Sequence, residues 1–337
     1  MRPSPSEPVI VMGASAGGVN AILQLASALP GNFPAPILFV QHIGAHASEL
    51  CKLVSARGPN PALTPVDGDV PRPGTIYIAP PDQHMLLDGP VIRLSRGPKE
   101  HHARPAIDPL FRSAALHCGP RAIGVVLTGM LDDGSAGLRA IKDCGGTAVV
   151  QDPADAHAPS MPRSALACVE ADHVVPLAAL APLLHDLARR PARLVSAIAM
   201  PEPPDTFRRE HAISLVIDGM ENLKAIATPS PFARPDCGGM LFELDDQRQL
   251  GYCCHTGHAF SLRSLVDQQA EVSDAALWAS LRMLQEKEAV LRRLAQAQHA
   301  VSPTSAQDAL READAIADLC SAVRRLIRHA PGAEGAD

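Results

Sequence analysis

The sequence predicts an α/β protein: a doubly wound, mainly parallel sheet in a Rossmann-like three-layer arrangement, followed by a small ribbon and an αα-hairpin. Three observations predict it. Short apolar runs recur without the alternation of a half-exposed strand, so each is expected to be buried on both faces. The runs end in glycine or polar residues, and amphipathic helical segments follow them. After about Arg190 the composition turns to proline and charge, and the α/β rhythm stops.

The first strand is expected near 8–13, where Val9-Ile10-Val11-Met12 runs into Gly13-Ala14-Ser15-Ala16-Gly17-Gly18. A serine pinned between glycines at a strand-to-helix turn is how a weak hydroxyl nucleophile becomes exposed at the rim of a sheet. A helix over 19–29 would present free N–H groups where an oxyanion forms. Glycines after a strand also cradle dinucleotide phosphates. Here Ser15 stands where the second glycine of Gly-x-Gly-x-x-Gly belongs, and no Lys-Ser/Thr follows. From the glycines alone a hydrolase site, a nucleotide site and a plain tight turn all stay open.

The second strand, 36–42, is apolar up to Gln41-His42. A right-handed crossover through the helix makes it a neighbour of the first strand. Ligands collect at the carboxyl ends of parallel strands, so His42 can stand beside Ser15 as a base; the alternative is a strand-end histidine bonded to backbone. Further strands are expected near 76–79, 122–129 and 146–151, with Val91-Ile92-Arg93-Leu94 as an antiparallel addition. The strand at 122–129 leads through Gly129-Met130-Leu131-Asp132-Asp133-Gly134 into a helix over 136–142. Either Asp132 or Asp133 is placed to cap that helix or to orient His42. Nucleophile, base and orienter would then arise in the chain order Ser…His…Asp, and a triad is defined by geometry rather than order.

These segments resemble the catalytic domain of CheB, the chemotaxis protein-glutamate methylesterase, from Val9 to about Leu184. The resemblance rests on Gly13–Gly18, Val40-Gln41-His42, Ile76–His84, Arg104–Ser113, Leu127–Gly134, Gln151-Asp152-Pro153 and Ser160–Ala165, in the family's order. It implies Ser15 as nucleophile, His42 as base and Asp133 as the acid that orients it. It also implies hydrolysis of glutamate γ-methyl esters on chemoreceptor cytoplasmic helices, with glutamine deamidation in some relatives. Ala16 N–H is the natural oxyanion donor, joined by a backbone N–H near Met130. No metal or organic cofactor is required. Two departures stand out: Leu131 occupies a position where many relatives have glycine, and no receiver domain is expected ahead of Pro8. The rival reading is a non-enzymatic signalling module that keeps the fold, with a nucleotide-binding oxidoreductase a distant third.

Other positions in the matching segments carry structural expectations. Asp108-Pro109 reads as a helix start, with Asp108 as N-cap. His84 reads as a structural loop histidine. His101-His102 sit in a charged connector and lack a third partner at metal-ligand spacing. Arg104 either meets an acidic receptor helix or is solvated.

The 337 residues carry 30 Lys and Arg against 36 Asp and Glu, and the net charge of −6 argues against general nucleic-acid binding. No apolar run is long enough to span a bilayer and the start is no signal peptide. Most of the eight cysteines are scattered through apolar segments, the usage of a reducing cytoplasmic compartment. The domain organisation expected is 8–190 catalytic, 191–230 linker, 231–262 ribbon and 270–330 helical hairpin. In the ribbon, Cys237, Cys254 and His258 are possible zinc ligands, but Arg234 holds the place of a first cysteine. Structural zinc wants four ligands, so a degenerate ribbon without metal is expected. Ser273 is expected to cap the first hairpin helix, with Leu277, Leu281, Leu284, Leu291 and Leu294 along one side and Trp278 adjacent; Ser305-Ala306-Gln307-Asp308 should open the second. Folding back on the ribbon, dimerisation and partner docking are all open to the hairpin.

Overall fold

The computed structural model describes residues 7–44, 48–190, 203–235, 238–245 and 251–329. It divides into two compact units. The first holds strands β1 (Val9–Ala14), β2 (Ile37–Gln41), β3 (Ala62–Leu63), β4 (Ile76–Ile78), β5 (His84–Asp88), β6 (Val91–Ser95), β7 (Ala122–Val126), β8 (Thr147–Gln151) and β9 (His173–Val175). Helices α1 (Gly18–Ala28), α2 (Leu50–Arg57), α3 (Ile107–Cys118), α4 (Ser135–Asp143), α5 (Ser160–Cys168) and α6 (Leu177–Arg189) intervene. Seven strands form one sheet in the order β3-β4-β2-β1-β7-β8-β9, every pairing parallel.

The apolar runs become central strands because both faces are covered. Ile10, Met12, Ile37 and Phe39 face α1, α2 and α6 in one core. Val11, Leu38, Val40 and Val126 face α3, α4 and α5 in the other. Gly124 has no side chain because α4 presses there: a Cβ would lie 2.8 Å from a Leu138 methyl. The order reverses around β1, so Ser15 leaves the sheet at the switch point where such folds bind ligands.

Three expectations about elements need correction. Val91–Leu94 does not join the main sheet; it pairs with His84–Asp88 as a separate hairpin. The strand expected over 122–129 ends at Val126, and residues 127–129 run on without a ladder partner on both sides. The stretch 191–230 is no simple linker. Residues 191–202 lie outside the described ones, but α7 (Asp205–Ser214) and α8 (Gly219–Ile226) follow. Their apolar sides bury Phe207, Ile213, Leu223 and Ile226, so the proline-rich run marks only the entrance to these helices.

The ribbon is an antiparallel sheet of β10 (Ala227–Ala233), β11 (Met240–Leu244), β12 (Gly251–Cys254) and β13 (Ala259–Ser261). It therefore begins a few residues before 231. The second unit is built on α9 (Leu262–Gln298) and α10 (Pro303–His329). Ser273 caps nothing: it lies inside α9, whose start is capped by Ser261 Oγ accepting the Ser264 N–H at 3.0 Å. The second helix opens at Pro303, a residue preorganised for the first turn, rather than at Ser305. Leu281, Leu284 and Leu291 pack against Ile316, Cys320, Val323 and Ile327, while Trp278 and Leu294 stay exposed.

Candidate active site at the carboxyl edge of the sheet

Ser15 is fixed by backbone on two sides. Its N–H donates to Thr128 O at 2.9 Å, and its carbonyl accepts the Gly18 N–H at 2.9 Å. Gly17, with φ +79°, makes the left-handed turn that starts α1. Gly129 lets β7's exit pass close by, since a Cβ there would lie 2.9 Å from Ser15 Cβ and overlap Met161 Sδ. Thr128 Oγ1 accepts the Ala158 N–H at 2.8 Å and donates to Ala16 O at 2.8 Å. Gln41, buried beside the serine, donates from Nε2 to Ser15 O at 2.8 Å and His42 O at 3.2 Å. Gln41 and Thr128 thus tie nucleophile loop, base and neighbouring strand together. Their polarity at the ends of apolar strands was the only sequence signal of that role.

The structure brings Ser15, His42 and Asp133 together. Ser15 Oγ lies 3.2 Å from His42 Nδ1, and His42 Nε2 lies 2.7 Å from Asp133 Oδ2. Because Asp133 accepts at Nε2, the imidazole proton is assigned there, which leaves Nδ1 free to accept the serine proton. Asp133 also accepts the Ile107 N–H on Oδ2 at 2.7 Å and the Asp108 N–H on Oδ1 at 2.9 Å. Those are the first two N–H groups of α3, so the acid both orients the base and caps a helix. Burial pushes its carboxyl upward, but the His42 hydrogen bond, the charges of His101 and His42 and the Ile107 N–H outweigh that and hold it well below the usual carboxylate range.

Asp108 does not cap its own helix. Ala106 is the N-cap, Asp108 sits inside the first turn, and its Oδ1 accepts the Gly137 N–H of α4 at 2.6 Å. The acid ahead of α4 therefore caps α3, and the acid inside α3 caps α4. Sequence reasoning missed this exchange because each carboxylate is local to the helix it does not serve.

His101 is the functional candidate the sequence hid among charges. Its Nε2 lies 2.9 Å from Asp108 Oδ2 and 3.9 Å from Asp133 Oδ1, and its Nδ1 lies 3.7 Å from Asp132 Oδ1. Asp132 in turn accepts from Ser261 Oγ at 2.9 Å. Donor atoms of His101, Asp108 and Asp133 lie within 4.8 Å of one another. They are committed elsewhere, to each other, to helix N–H groups and to His42, which argues against a metal there. Glu100, in the same charged connector, is buried and paired with Arg112 at 2.7 Å.

The remaining predicted positions fall as follows. Ala16 N–H and Met130 N–H meet no backbone acceptor among the described residues, and Met130 is 57% exposed at the cleft. Leu131 holds φ +60°, the left-handed region that favours glycine. Ser160 and Ser164 donate to its carbonyl at 3.2 and 3.0 Å and fix that turn. His84 is buried, donating to Pro98 O at 2.8 Å and accepting the Ala106 N–H at 3.2 Å. Arg104 is partly exposed and held within the chain, binding Asp82 at 2.7 and 3.0 Å and the carbonyls of Arg96 and Gly97.

In the ribbon, Cys237 lies outside the described residues. Cys254 Sγ is 3.5 Å from His258 Nδ1 and 2.9 Å from Thr256 Oγ1. Burial opposes ionisation of this thiol, but hydrogen bonds from His258 and Thr256 lower it to about 6. Cys253 belongs to the ribbon's apolar core, on the opposite face of the strand. Arg234 Nη1 lies 3.0 Å from His258 Nδ1.

Among known proteins, the family described as CheB methylesterase matches residues 10–184. A putative protein-glutamate methylesterase/protein-glutamine glutaminase of Leptospira interrogans is 39% identical over 176 residues, 52% of this chain and 91% of that protein. The protein-glutamate methylesterase FrzG of Myxococcus xanthus is 38% identical over 179 residues, 52% of this chain and 53% of that protein. The crystal structure of the Thermotoga maritima CheB methylesterase catalytic domain superposes with a TM-score of 0.52 at 32% identity, covering 54% of this chain and 99% of that one.

Proposed function

The chain belongs to the CheB methylesterase family, and on that footing we propose that it is a serine hydrolase. Its substrates would be glutamate γ-methyl esters, and the corresponding glutamine amides, on the cytoplasmic helices of a chemoreceptor or related signalling protein. One observation carries the reading: the relay Ser15 Oγ to His42 Nδ1 at 3.2 Å and His42 Nε2 to Asp133 Oδ2 at 2.7 Å. A binding module would have no need to keep a serine, a base and an ionised acid in register.

In the proposed reaction Ser15 Oγ attacks the ester carbonyl as its proton passes to His42 Nδ1. The carbonyl oxygen becomes an oxyanion held by the Ala16 and Met130 N–H groups. The imidazolium is stabilised by the Asp133 carboxylate. It then gives its proton to the departing methoxide, and methanol leaves. Water enters through the same base, breaks the acyl-serine bond and frees the glutamate.

No metal or organic cofactor takes part in these steps. The ribbon is read as metal-free because the Arg234 guanidinium already brings a cation to His258. Cytoplasmic residence follows from the substrate. Among the described residues no helix is long and apolar enough to cross a membrane.

Methanol release from methylated receptor fragments tests the reading, with wild type and Ser15→Ala compared. Release that vanishes in the variant is expected. No release from wild type, together with no labelling of Ser15 by a fluorophosphonate, would sink it.

A further inference from the structure

We propose that His101 is a positioning residue for this reaction: a buried cation, clamped by ribbon strand β13, that balances and orients the Asp133 carboxylate. The proposal rests on the reading of Ser15 and His42 given above. It also makes the ribbon part of the esterase site rather than an appendage.

The geometry carries it. Three carboxylates converge on one imidazole: Asp108 from α3 at 2.9 Å, and Asp132 and Asp133 from the turn before α4 at 3.7 and 3.9 Å. The His101 side chain is 8% exposed. Carboxylates gathered out of water demand a counter-charge. Arg112 is paired with Glu100 at 2.7 Å, faces Glu210 at 3.7 Å and also feels the Asp108 charge; Arg139 lines the same cavity as His101 and Asp108. His101 reaches Asp133 Oδ1 at 3.9 Å, while His42 holds Oδ2 at 2.7 Å.

The backbone is held for this purpose. His101 and His102 have φ +50° and +62°, the left-handed region that L-residues with a Cβ rarely adopt. The ribbon offsets that strain. The His101 N–H donates to Ala259 O at 3.0 Å, and the Ala259 N–H donates to Lys99 O at 3.1 Å. Two residues on, Ser261 Oγ grips Asp132 at 2.9 Å. Strand β13 thus fixes both the imidazole and one of its acids. Burial by itself would strip the proton from His101; the Asp108 hydrogen bond and the charges of Asp133, Asp108 and Asp132 outweigh burial and lift it to about 10. The cation therefore persists across neutral pH.

With His101 in place the pocket behind His42 is less negative. Removing it should favour protonation of the relay and raise the pH needed for activity. The test is the pH dependence of fluorophosphonate labelling of Ser15, which needs no receptor, in the full chain and in His101→Gln. The acid limb is expected to move up by about one pH unit, because a like charge that opposes protonation of the relay is gone. A lower plateau with an unmoved limb would mean a merely structural histidine and would overturn the proposal. A wild type that is not labelled at Ser15 would remove the nucleophile itself, a different failure. Should the variant not fold, ¹³C-histidine NMR of wild type decides: His101 is expected not to titrate between pH 5.5 and 8.5, and a midpoint near 6.5 overturns the proposal.

Discussion

Replacing Asp133 with asparagine separates two jobs that one side chain performs. Oδ2 accepts from both His42 Nε2 and the Ile107 N–H, at 2.7 Å each, whereas Oδ1 accepts only the Asp108 N–H at 2.9 Å. An asparagine has one carbonyl oxygen to offer. Turning it toward Oδ2's position satisfies two donors and keeps the imidazole proton on Nε2; turning it the other way satisfies one. The first orientation wins, so the variant keeps the working tautomer and loses only the charge. A hydrogen bond to a charged partner contributes about 1.5–3 kcal/mol net, and 1.36 kcal/mol is tenfold in rate. The labelling rate and kcat/KM should therefore fall about 10- to 150-fold, well short of the ~10⁴ expected when an amide inverts the tautomer. The amide nitrogen would face the Asp108 N–H and leave it orphaned. A lost cap of about 1 kcal/mol plus an unsatisfied donor of about 1–3 kcal/mol gives roughly 2–4 kcal/mol. Thermal melts should drop by about 4–16 °C at ~2–4 °C per kcal/mol. A 10⁴-fold loss would refute the argument that the helix bonds dictate the amide's orientation. An unchanged melt would refute the cap.

Ser15→Ala should abolish labelling and turnover while leaving the melting temperature within about 2 °C, because among the described residues its hydroxyl bonds only His42; a large destabilisation would show that the serine is structural. Gly129→Ala forces a Cβ to within 2.9 Å of Ser15 Cβ, and a nucleophile displaced by a fraction of an ångström should cost about 10²-fold in kcat/KM, measured beside a folded-state spectrum; activity within twofold of wild type would show that the close approach is slack. Stability should also fall on acidification through His211, buried on α7 against His117 with no hydrogen-bond partner for either ring nitrogen among the described residues. Burial first, then the charges of His117 and Arg112, lowers it to about 4. The unfolded chain binds the proton near 6.5, so it carries more protons than the folded one between these values and stability rises with pH across that window. Roughly 3 kcal/mol should be lost between pH 6.5 and 4. Urea titrations of wild type and His211→Leu at pH 4.5, 5.5 and 7 check this, and parallel slopes would contradict it.

The parts of the site readable from sequence are those encoded within one strand and its exit. Val9–Met12 into Ser15, and Pro36–Val40 into His42, state both burial and rim position in a single run. Parallel register then does the rest, setting Gly13 opposite Val40 on one side and Val126 on the other. What stayed hidden depends on side chains that serve a distant element. Asp108 looks like a cap for its own helix and caps another. His101 looks like a member of a charged connector, yet β13 lies more than 150 residues on and covers it. The helices after Arg190 were obscured for a local reason: proline and charge at their entrance read as a linker, and their apolar faces are short.

The exchanged caps of α3 and α4 bear on how such a chain can decay. An acid that does chemistry alone is free to drift once the chemistry is no longer needed. Asp133 is not, because its loss frays the start of a buried helix whether or not any ester is ever cleaved. Ser15 has no such insurance. Copies of this fold that abandon catalysis should shed the serine first and keep the aspartate long afterwards. In a diverged relative a surviving aspartate therefore says little about activity, and the residue between the glycines says nearly everything.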